Sequence, residues 1–238
     1  MLWYKAWMES RARFLMSLCL IVFFCVLFVH SGEKNIGRNQ ITEHYKLFST
    51  TAVLVAGLWV LVVILLGMGG LIRERAVGAS SFTLALPVSR VRITGVRIAV
   101  GLIEVVFLGV VPWLTIFLIS SLNHTPIRIS QAGLYILLLL GGGLIYFGVA
   151  VLVSSVVESG SAGAAAAYVI MISIQIVFWS VDSLRPVAPW MVMDGERLLD
   201  RHTWLLAKPI PWLELLVPLV ITALSLLATL HTIQRRDF

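Results

Sequence analysis

The chain has 238 residues, 59% of them hydrophobic and only 13% charged, with a mean hydropathy of +0.97. A soluble domain of this size carries about a quarter charged residues to keep its surface wetted. Soluble nucleotide-binding and Rossmann folds are therefore excluded, and the net charge of +6 reads as membrane topology before it reads as nucleic-acid binding.

In residues 1–13, Trp3, Tyr4, Trp7 and Met8 alternate with Lys5, Glu9, Arg11 and Arg13. Trp3, Trp7, Ser10 and Phe14 recur at helical spacing, which predicts a helix lying in the membrane interface. The apolar run 14–29 follows. It is longer than a signal-peptide core, and Val29-His30-Ser31 makes a poor cleavage site, so an uncleaved first span is expected. Cys19 and Cys25 fall within it without a His or acidic companion. They are expected to act as small hydrophobes, with neither a disulfide nor a metal site.

Further apolar runs of roughly spanning length lie at 49–71, 98–121, 131–154, 162–180 and 212–232. Six spans place both termini on one side. Ten basic residues against four acids would face that side, five of the basic ones in the loop 72–97. Short Arg-rich loops stay inside, so the expectation is an inner-membrane protein with both termini cytoplasmic. Small residues concentrate at Gly141-Gly142-Gly143, at Gly148 and along Ala162–Ala167. They permit close helix approach, whether at a dimer interface, at a moving seam or in ordinary intrachain packing. The segment 181–211 holds Pro186, Pro189, Pro209 and Pro211 yet stays rich in Leu, Met and Trp. Short external helices lying on the membrane or dipping into it are predicted there. The whole chain, 1–238, is expected to be one all-α transmembrane domain.

Two acids fall within spans. Glu214 lies near an outer end and reads as structural. Glu104 sits deeper, two helical turns beyond Arg97, with Pro112 further along the same helix, and marks a candidate substrate pathway or intramembrane polar site. No catalytic constellation emerges. The five histidines lie in loops or at span ends, Gly160-Ser161-Ala162-Gly163 has the wrong spacing for a serine protease, and no Gly-x-x-x-x-Gly-Lys phosphate loop occurs.

The loop between spans two and three is the most informative stretch. Arg73-Glu74-Arg75 leaves the membrane, Gly78 permits a turn, and Ala79, Phe82 and Leu86 share one face of a brief helix that ends at Pro87. Arg90, Arg92 and Arg97 return the chain to the bilayer. Such a helix suits docking into a partner's groove, or forms part of a plain surface loop.

At this loop the chain resembles the permease subunits of type-2 ABC exporters, the ABC-2 family. Its Arg73-Glu74-Arg75 with Gly78, and its Pro87-Val88-Ser89-Arg90, look like the family's Arg-Glu-x-x-x-Gly and Pro-Val-Ser-Arg motifs. The likeness extends along nearly the whole chain. Residues 3–14 look like the family's amphipathic N-terminal helix, 155–161 like its second cytoplasmic contact, and 181–211 like its external helical segment. Arg235-Arg236-Asp237-Phe238 resembles a common terminus. Ala79-Ser80-Ser81 departs from the Thr and larger or acidic residue found in many relatives.

The resemblance implies a permease that moves substrate outward using ATP hydrolysed by two separate ATP-binding subunits, with a second permease copy or paralogue completing the pathway. ATP and Mg would sit on the partners, and none in this chain. Arg73, Glu74, Arg75, Gly78, Phe82, Leu86, Pro87 and Arg90 would form the ATPase-coupling element. Beyond these subunits the implied partner is membrane lipid, with no nucleic acid. A membrane scaffold using the same loop, and an intramembrane enzyme, are the alternatives.

Overall fold

The computed structural model describes residues 2–33, 41–68, 89–122, 128–157, 160–200, 202–206 and 209–235, with the backbone alone described at 31–33, 41, 42, 90, 160 and 161. Among these residues the chain forms α1 (Leu2–Glu33), α2 (Ile41–Gly67), α3 (Arg90–Leu122), α4 (Ile129–Val156), α5 (Gly160–Ser180), α6 (Pro189–Asp194) and α7 (Trp212–Arg235). Short 3-10 turns occupy Arg185–Val187 and Glu196–Leu198. All but α6 are long and apolar enough to cross a membrane. The protein is an all-α, multi-pass membrane protein with six candidate spans.

The N-terminal segment expected to form an interfacial helix is helical and makes up the first third of α1, continuous with the first span. No proline occurs in α1, and its first glycine is Gly32, so nothing breaks the helix between residue 2 and the span. At 1.5 Å per residue, α1 is about 48 Å long, well beyond the ~30 Å hydrocarbon core. Helix α3 likewise runs unbroken through Pro112.

Side-chain contacts fix the helix directions. Ser10 meets Glu104, and the Phe14 ring lies 5.8 Å from that of Phe107, so α1 and α3 run parallel. Gly141 abuts Leu215 and Gly148 abuts Thr222, which makes α4 and α7 parallel. Helix α2 follows α4 as well, from the Phe48–Tyr135 contact at 5.2 Å to Gly67 against Ala150. Gly101 against Phe147 and Gly109 against Leu140 set α3 antiparallel to α4. The start of α1 and the close of α7 therefore share one end of the bundle, here the terminal end. The segment 181–211 lies at the other, distal end.

Helix α4 is the axle, with 72% of its most apolar stretch buried against 17% in α5. Its glycines explain this. A Cβ on Gly142 would lie 2.9 Å from the Pro189 carbonyl oxygen, and one on Gly148 would lie 3.2 Å from the Thr222 backbone. Gly141 yields to Leu215 and Gly143 to Trp59. Each of these four glycines thus serves an intrachain contact. On α5 only a narrow edge, Gly163, Ala167 and Met171, is buried, and Val169, Ile172, Ile176 and Val177 face outward. Cys25 lies in the core and Cys19 on the exterior.

At the distal end α6 is wedged between α2 and α4. Ala188, Val192 and Met193 are buried, and the Trp190 ring comes within 3.6 Å of the space beside Gly57. This part of the 181–211 segment therefore packs into the bundle. Gly195, at φ +66°, ends α6 where a side chain would strike Leu138. Gln131 then pins the following loop. Its Oε1 accepts from the Leu206 amide at 2.9 Å, and its Nε2 donates to the Leu206 carbonyl at 3.4 Å. Arg197 Nη1 reaches Glu214 Oε1 at 3.5 Å, so Glu214 ties the same loop to α7.

Candidate functional site

Arg97 and Glu104 stand seven residues apart on α3, which at 3.6 residues per turn places them on one face. On α1, Glu9, Ser10 and Arg13 form a facing group within one turn. Because the two helices run parallel, the groups meet in register. Ser10 Oγ donates a short hydrogen bond to Glu104 Oε1. Arg97 Nη2 donates to Glu9 Oε2 at 2.9 Å, and Lys5 Nζ lies 3.9 Å from Glu9 Oε1. The Arg13 guanidinium acts on Glu104 from the same side.

Two carboxylates are thereby interleaved with two guanidiniums, and the burial is steep. The Glu9 side chain is 31% exposed and that of Arg97 12%, whereas Glu104 as a residue is only 2% exposed. A lone charge at such depth is expensive, but a paired and hydrogen-bonded one is tolerated. Between these side chains lies a half-open cavity of about 60 Å³, lined also by Thr94, Ser154 and Phe147. Close packing seals it toward the bundle centre. A Cβ on Gly101 would lie 2.8 Å from the Phe147 ring, and one on Gly67 the same distance from Ala150 Cβ.

The structure places Glu104 in this site, two turns in from Arg97 as the sequence implied. Arg90 opens α3 and is described by its backbone alone. Arg73, Glu74, Arg75, Gly78, Phe82, Leu86 and Pro87 lie outside the described residues, as do Glu158 and Ser159 of the expected 155–161 contact. The partners of Glu104 were not anticipated, because Ser10 lies 94 positions away. One signal was available: acid and base on each of two helices, four residues apart at Glu9 and Arg13 and seven at Arg97 and Glu104.

The distal end carries a different kind of polar site. The rings of Trp113 and Tyr135 stack at 4.9 Å, with Phe48 edge-on to both. Trp113 Nε1 is buried there with no hydrogen-bond partner among the described residues, and the buried Tyr135 Oη has Ser49 beside it. Asp194, at the close of α6, has its carboxyl pushed up to about 6, first by burial and then by neighbouring Glu196. Among the described residues no three His, Cys, Asp or Glu side chains gather to hold a metal ion. The paired charges at the terminal end can hold α1 on α3 and bind water.

No family model matches this chain, and no curated protein or solved structure matches it either.

Proposed function

We propose that the protein is the transmembrane permease subunit of an ATP-binding cassette exporter of the ABC-2 type. The observation that carries this reading is the order of motifs along a six-span chain. Arg73-Glu74-Arg75, Gly78 and Pro87-Val88-Ser89-Arg90 fall in the loop between the second and third spans. The architecture adds support. The helices flanking that loop, α2 and α3, supply Leu66, Gly67, Thr94 and Arg97 to the Glu104 cavity. Force applied to the loop by a partner would reach the bundle at that site.

In this reading both termini are cytoplasmic and the terminal end faces the inner side of the cell membrane. Two ATP-binding subunits, which carry ATP and Mg, grip the loop helices of two permease copies or of this chain and a paralogue. Phe82 and Leu86 fill a groove on each ATPase, and Arg73, Glu74 and Arg75 fix the helix by ion pairs. Closure of the ATPases shifts the helix and the spans attached to it, and cargo moves outward.

Purification from native membranes tests the proposal. A separate ATP-binding subunit should co-purify with the chain, and Phe82→Asp should abolish that association. Reconstituted vesicles should show ATP-dependent substrate movement. Vesicles that retain the ATPase but move no cargo would identify a membrane scaffold instead.

A further inference from the structure

We propose that the Glu104 cavity is a water-binding site, filled from the terminal end of the bundle, and that its water makes the α1–α3 attachment breakable. The volume and the lining decide the ligand. The space open to the centres of water molecules is about 60 Å³, several times the roughly 10–15 Å³ that one water needs. Guanidiniums from Arg13 and Arg97 stand beside the carboxylates of Glu9 and Glu104, so the wall favours neither a bare cation nor an anion.

Water has the partners it needs. It requires two to four hydrogen-bonding groups to stay in a buried site. Glu104 accepts from Ser10 at Oε1 and retains a second carboxylate oxygen as an acceptor in the cavity lining. Ser154 Oγ donates to the Val151 carbonyl at 2.7 Å and keeps its lone pairs. The Thr94 hydroxyl completes the set. A dry cavity with this lining would leave charge facing vacuum, which costs more than ordering a water.

The path is one-sided. Exposure falls from Glu9 through Arg97 to Glu104, which puts the mouth at Glu9 and the closed end at Glu104. Beyond Glu104 the next inward residues of the same helix, Val105 and Leu108, are fully buried and close the inner end. The consequence is mechanical. A dry buried ion pair resists separation because each charge would be stranded, whereas a solvated pair can exchange its partner for water. The first third of α1 can then leave α3 without stranding Glu104.

The test uses the full chain in lipid nanodiscs and vesicles, with Cys19→Ala and Cys25→Ala removing the native thiols. Thr94→Cys and Ser154→Cys place a thiol on the cavity wall, and Leu108→Cys places one in the dry core of the same bundle. Silver ion reacts with hydrated thiolate. The wall cysteines should react at least about tenfold faster than Leu108→Cys, as expected where only hydrated thiols ionise readily. In sealed vesicles they should react from the side that displays an N-terminal tag. Reaction as slow as that of Leu108→Cys, or only from the other side, overturns the proposal. Radiolytic hydroxyl labelling of the unaltered chain provides a second reading. Leu66, Ile98 and Phe147 should label while Phe48 and Trp113 stay unlabelled, and failure of the first three to label overturns it equally.

Discussion

The two ends of the bundle are built from opposite materials. At the terminal end α1 is held to α3 by Glu9–Arg97 and Ser10–Glu104 around a cavity. At the distal end α6 is held to α4 by glycines that leave no space at all. Charges around a cavity can be solvated and re-paired, but a backbone pressed against a glycine has one arrangement. The comparison assigns adaptability to the end that adjoins the loop 69–88 and rigidity to the end that adjoins the 181–211 segment.

The rigid end is the easier to break. Gly142→Leu must push a side chain into the Pro189 carbonyl and the Met193 backbone, and neither can swing aside. Overpacking of this kind should cost about 3 kcal/mol, read as a lower unfolding midpoint in mixed micelles. Gly133→Ala is the control, since a Cβ there meets nothing within 4 Å. It should raise stability by about 0.5–1 kcal/mol, the helix preference of Ala over Gly. Equal effects at the two positions would show that α6 is not seated on α4.

The adaptable end should lose less. Glu104→Ala returns the Ser10 hydroxyl to the Ala6 and Trp7 carbonyls and leaves Arg13 facing an emptied site. The expected loss is about 2 kcal/mol. Glu104→Gln keeps an acceptor oxygen and should lose about half as much, the remainder being the missing charge. A double-mutant cycle on Glu9→Gln and Arg97→Gln should return about 1 kcal/mol of coupling, because that pair is partly exposed. Raised salt should weaken the Glu9–Arg97 coupling and leave the Gly142→Leu penalty unchanged. A coupling insensitive to salt would place the pair in a drier setting than its exposure implies.

This contrast was only half legible in the sequence. Spans could be read because about 20 apolar residues in a row admit few structures; all six appeared, the last three close to their expected bounds and the first three as helices that begin earlier. Gly141–Gly143 and Gly148 announced close approach but not what approaches. Pro189, Leu215 and Thr222 come from distant segments, so a dimer seam and an internal contact looked alike. Glu104 was visible as a charge in the wrong solvent, whereas its partner Ser10 looked like one more position on an interfacial face. Residues 1–13 read as an interfacial segment, and in the structure that segment is continuous with the first span. Polar residues at the start of α1 signal a change of surroundings, and without proline or glycine the backbone continues through it.

The smallest effect tests whether the distal end is as insensitive to charge as its packing suggests. Asp194 closes α6, and burial lifts its carboxyl from 3.8 to about 6 in the folded chain. The folded state then holds the proton more tightly than the unfolded one, so this group favours folding most at low pH. Its contribution falls as pH rises from about 4 to about 6 and is level above that. At neutral pH the charged form is a liability of on the order of 1 kcal/mol once solvent screening is allowed for. Asp194→Asn should remove it, raising the unfolding midpoint at pH 7.5 and flattening the slope between pH 4 and 6 relative to the unaltered chain. The Glu9–Arg97 pair should show no matching gain when neutralised. A loss of stability in Asp194→Asn at neutral pH would mean that the carboxylate has a cationic partner and that the distal end, too, is held by charge.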